Sequence, residues 1–77
     1  MNARLDAPNV ESLEERQVEQ QLADLEARLV AQYADRGVNE GRVRAIVEQL
    51  RSQFADARIR TFVPILVERA ARQALAG

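Results

Sequence analysis

The sequence predicts an all-α fold, an antiparallel three-helix bundle, and three observations carry that expectation. Apolar residues recur at alternating steps of three and four through most of the chain, which is the helical period. Helix-boundary residues stand at Gly37, Asn39 and Pro64 and divide the chain into three helical stretches. No alternating pattern longer than Ile59 to Val63 suggests a strand, and that stretch has no partner to pair with.

The first stretch, residues 1–11, mixes Asn, Asp, Ala and Pro8 without periodicity and is expected to be a flexible arm in front of a bundle at 12–77. Ser12 and Glu15 have the spacing of a capping box, so the first helix is expected at about 13–35. Glu11, Glu14 and Glu15 suit the positive end of its dipole. Val18, Leu22, Leu25, Leu29 and Tyr33 form one continuous stripe, and Gly37 can take the left-handed conformation that closes the helix.

Asn39 is the expected N-cap of a second helix at about 40–56, with Val38 and Val43 placed as a hydrophobic staple. The short connection favours an antiparallel neighbour, so Val43, Ile46, Val47, Leu50 and Phe54 should meet the first helix. A proline is tolerated in a helix only in the first turn, which places the third helix at about 62–75 around Pro64.

The third helix is richer in apolar residues than one core stripe needs. Phe62, Leu66 and Ala70 share one face and are expected in the core with Leu29, Tyr33 and the second-helix residues. Val63, Val67, Ala71 and Ala74 share a neighbouring face, expected to form a dimer interface together with Val18, Leu22 and Leu25, whose heptad-like seam also suits the intramolecular core. On this assignment Leu66→Asp should unfold the chain and Val67→Asp should give a folded monomer.

Size makes association plausible on physical grounds, because a chain of 77 residues buries only about 60% of its unfolded surface and a partner can cover what remains. The chain has no Cys and no His, which removes disulfides, thiolate metal sites and the commonest general base, and it has no Gly-rich phosphate loop. No catalytic, cofactor-binding or metal-ligating residue is assigned, and the chain is not expected to be an enzyme. Adjacent carboxylates such as Glu14 and Glu15 point apart on a helix and build no acid/base dyad.

A net charge of −1 supplies no field for a polyanion. Arg42, Arg44, Arg51, Arg58 and Arg60 cluster in the middle of the chain, as in a helix-turn-helix protein, yet the third helix opens Thr-Phe-Val-Pro-Ile-Leu-Val and offers no polar side chains to base edges. These arginines are expected in local ion pairs instead, for example Arg44 with Glu48 and Arg51 near Asp56. The start of the chain lacks a signal-peptide apolar core and no run approaches the ~18 residues of a membrane span, so a cytoplasmic location is expected.

The block Arg58-Ile59-Arg60-Thr61-Phe62-Val63-Pro64-Ile65-Leu66-Val67-Glu68-Arg69-Ala70-Ala71-Arg72, preceded by Ala55-Asp56-Ala57 and by a Val-x-x-Ile-Val-x-x-Leu-x-x-x-Phe spacing from Val43 to Phe54, resembles a small three-helix-bundle dimerisation domain of actinobacteria. That family occurs alone or at the N-terminus of arsenate reductases related to low-molecular-weight protein tyrosine phosphatases. The resemblance covers roughly Leu22 to Leu75 and implies homodimerisation without chemistry, since the phosphatase signature needs a Cys that this chain lacks. The expected partner is a second copy. A different protein bound through the third helix is the alternative, and neither a nucleic acid, a membrane nor a metal is expected.

Overall fold

A 32-residue helix, α1 (Ala3–Ala34), is followed by two 14-residue helices, α2 (Glu40–Gln53) and α3 (Val63–Ala76), with a single 3-10 turn at Arg60–Phe62 leading into α3. This computed structural model describes the backbone of residues 3–76 and the side chains of residues 13–76. Among the described residues there is no strand, and the three helices pack on one another as a bundle.

Local chemistry sets the first turn of the chain. Gly37 has φ +79°, its N–H donates to the Ala34 carbonyl at 3.0 Å, and the Val38 N–H donates to the Tyr33 carbonyl at 2.9 Å. Those two bonds make a Schellman motif, which satisfies the last carbonyls of α1. Val38, just past the turn, packs on the core, as the motif favours. A Cβ at residue 37 would meet nothing within 4 Å, so the cost of Gly37→Ala is conformational alone. We expect a loss of about 1 kcal/mol, seen as a fall of roughly 4–8 °C in the thermal midpoint.

Asn39 sits in extended conformation at the start of α2, and its side-chain oxygen accepts from the Gly41 N–H at 2.6 Å. The expected N-cap is therefore in place. Asn39→Ala should cost about 1 kcal/mol in a denaturant titration, whereas Asn39→Ser, which keeps an acceptor, should cost little.

The core draws on all three helices: Val18, Leu22, Leu25, Leu29 and Tyr33 from α1, Val43 and Val47 from α2, and Val63, Val67 and Ala71 from α3. Ile46, Leu50 and Phe54 lie half-buried against it. Each fully buried leucine or valine contributes about 1.5–3 kcal/mol of transfer free energy.

Two expectations are corrected here. The helix does not open near Leu13; it runs from Ala3, so the segment at 3–11 is not an irregular arm, and residues 1 and 2 lie outside the described residues. Ala3, Arg4, Leu5, Ala7 and Glu11 are good helix formers, and Pro8, lacking an N–H, costs the ladder one bond. Ser12 consequently lies inside the helix with no free first-turn N–H to cap, and its side chain is outside the described residues.

The second correction is the phase of α3. Phe62, Leu66 and Ala70, expected in the core, are exposed or half-exposed, with Phe62 at 54%. Val63, Val67 and Ala71, expected at a dimer interface, are buried in the chain's own core, as are Val18, Leu22 and Leu25. The physical reason is size. Three helices meet most closely through short side chains, so the Val-Val-Ala stripe faces inward and the bulky stripe, one residue or about 100° away, is left outside.

Candidate interaction surface

Ile65 and Leu66 stand three and four residues after Phe62, so all three share one side of the α3 start. All three are exposed, Ile65 by 58%, and Ile59, at the entry to the 3-10 turn, is exposed by 51%. Isolated exposed apolar residues are ordinary, but large ones gathered on a single helix face mark a surface that binds something. Beside Ile65 a shallow groove runs between α1 and α3, lined by Gln21, Leu25, Arg28, Pro64 and Glu68. Ala74, from the expected interface, is exposed but lies further along α3.

The placement of this face depends on how α3 is held. Arg60 is the joint: its Nη1 donates to the Ala55 carbonyl at 2.9 Å and to the Phe54 carbonyl at 3.5 Å, while its Nε donates to Glu15 Oε2 at 3.2 Å. One guanidinium thus ties the end of α2 and the start of α3 to α1. Its planar fork makes this possible, which a lysine could not reproduce. Pro64 falls in the first turn of α3, where the missing N–H has no cost.

Further along α1, Arg51 pairs with Glu19, and Arg44 lies 2.7 Å from Glu40 and 3.5 Å from Glu26. The expected partners Glu48 and Asp56 are not the ones used, because α2 packs with Arg44 and Arg51 turned towards the acidic side of α1. The carboxylate of Glu40, through its hydrogen bond and charge, and that of Glu26 raise the pKa of Arg44. A raised pKa means the contribution is present at neutral pH and is lost only as pH climbs through the guanidinium's own alkaline range. Arg36 lies over the Tyr33 ring at 5.2 Å, and Arg72 pairs with Glu68 at 3.1 Å.

These pairings also bear on the arginine cluster. Arg44, Arg51 and Arg60 are committed to carboxylates, which leaves little of the cluster to meet phosphates. Among the described residues no three acidic side chains gather as a metal site would need, and no buried side-chain polar atom lacks a partner. Among the described residues no helix is long and apolar enough to cross a membrane.

The sequence reading missed Ile65 and Ile59 altogether as surface residues. The signal that could have found them was the Val63-Val67-Ala71 stripe of small residues, which competes with Phe62-Leu66-Ala70 for the core. No protein-family model, curated protein or solved structure is similar enough to the chain to match it.

Proposed function

We propose that this three-helix module is non-catalytic and acts by pairing with a second copy of itself through the exposed apolar start of α3. The observation that carries this reading is the face formed by Phe62, Ile65 and Leu66, left bare while smaller residues fill the core.

The resemblance to the actinobacterial dimerisation domains suits the same role, on its own or beside an arsenate reductase, and the lack of Cys is consistent with a module that contributes no phosphatase-like chemistry. A 1:1 mixture of isotope-labelled and unlabelled chains tests the proposal directly. Filtered NMR spectra should show contacts between copies at the Phe62 ring and the Ile65 methyls. Contacts between copies confined to other residues, or none at all, would remove the α3 face from the reading.

A further inference from the structure

The outward side of α3 does not end with its apolar residues. Phe62 closes the 3-10 turn, and Ile65, Leu66 and Arg69 follow it in α3 at i+3, i+4 and i+7. At about 100° per residue the four lie within roughly 100° of one another, turned away from the buried stripe of Val63, Val67 and Ala71. Arg69 is exposed, and among the described residues it makes no ion pair, whereas Arg72, on the flank of the helix, is taken up by Glu68.

The order of these side chains is symmetric about a point midway between Ile65 and Leu66. Phe62 and Arg69 stand equally far from that point along the helix, and Ile65 and Leu66 are turned to opposite flanks by about 50° each. A two-fold axis through the point, perpendicular to α3, therefore carries the set onto a second copy with its ends exchanged. Ile65 then meets Leu66, and Phe62 meets Arg69.

Charge decides between the two ways in which copies of one helix face can pair. With the two α3 helices parallel, each residue stands against its own counterpart, so Arg69 faces Arg69. Arg58, also exposed and without an ion pair among the described residues, then faces Arg58. Like charges brought together oppose association. With the helices antiparallel the arginines move to opposite ends of the contact, and each Arg69 guanidinium lies over a Phe62 ring, whose negative π face attracts a cation.

We infer that two copies pair face to face through antiparallel α3 helices, with Ile65 and Leu66 at the centre and Arg69 of each copy over the Phe62 ring of the other. This inference rests on the dimer reading above and specifies its geometry. The symmetric order commits the face to a second copy, because a closed contact between identical surfaces requires a self-complementary patch and an unrelated partner does not. An apolar centre with charge at its rim is also the usual anatomy of a specific interface.

Because the chain has no native cysteine, a single introduced spin label reads the orientation. Gln73→Cys carries it on an exposed position of α3, about two turns beyond the midpoint. The two labelled positions lie roughly 20–25 Å apart in the antiparallel pair and under about 15 Å apart in the parallel one. Electron spin resonance on the dimer should give the longer separation. A shorter or a much longer one would overturn the antiparallel arrangement while the dimer stands, and a native chain that sediments as a monomer throughout would instead overturn the dimer reading itself. Phe62→Leu and Arg69→Gln test the contact between ring and cation. The two residues are about 10 Å apart along one helix, too far to touch within a copy, so coupling between them reports a contact between copies. Each change alone should raise the dissociation constant by roughly fivefold, and the double variant by less than the product, since the first change already breaks the contact. Effects that simply multiply would overturn the placement of Arg69 on the ring.

Discussion

Val67→Asp is expected to unfold the chain. Val67 is 0% exposed and sits at the centre of the Val63-Val67-Ala71 stripe, in a core whose side chains are aliphatic apart from Tyr33 and hold no charged group to receive a carboxylate. A carboxyl buried there without a partner costs at least about 4 kcal/mol, whether it stays ionised or takes up a proton. A domain of 77 residues has about 4–12 kcal/mol of total stability to lose. Far-UV circular dichroism should show loss of most helical signal at 25 °C, with no cooperative thermal transition. Leu66→Asp, one position earlier on the outer side of α3, should keep its helical signal. The opposite order, a folded Val67→Asp beside an unfolded Leu66→Asp, would mean that α3 is turned by one residue from the orientation described.

The second large effect is on association. Phe62→Asp combined with Ile65→Asp should leave the fold intact and abolish pairing. Both residues are more than half exposed, so little core is lost, and Ile65 lies in the first turn of α3, where a negative charge suits the helix dipole. At an interface, removal of two anchoring apolar side chains costs about 2 kcal/mol or more each, and the introduced carboxylates must also be desolvated. The dissociation constant should rise by at least about a hundredfold. Size-exclusion chromatography with light scattering reads the result: a monomer with native circular dichroism is expected. A double variant that still pairs would place the interface elsewhere.

Much of the architecture was legible in the sequence because it is written in local chemistry. Gly37, Asn39 and Pro64 act within a few residues of themselves, and each does in the structure what its type implies. The stripe from Val18 to Tyr33 was equally clear, since one side of a long helix has a single apolar phase and the alternatives are charged. Its assignment was less clear: a seam of that length serves an intramolecular core or a second helix equally well until the neighbours are placed.

The phase of α3 was not legible for the same reason. Phe62-Leu66-Ala70 and Val63-Val67-Ala71 are both complete apolar stripes, and local periodicity cannot choose between them. Tertiary packing chooses, by admitting the shorter side chains where three helices converge. The start of α1 escaped notice because helix-forming residues without an apolar stripe leave no periodic signal, and Pro8 reads as a break. The candidate surface follows from the phase of α3, since it consists of the stripe that the core rejected.

Sedimentation equilibrium of the native chain, over a wide range of concentration and at moderate and high salt, tests the central claim most directly. The expected result is reversible association to twice 8.7 kDa that persists at high salt, because its centre is apolar. A single species at the monomer mass at every concentration would contradict it, and the α3 face would then belong to a different protein.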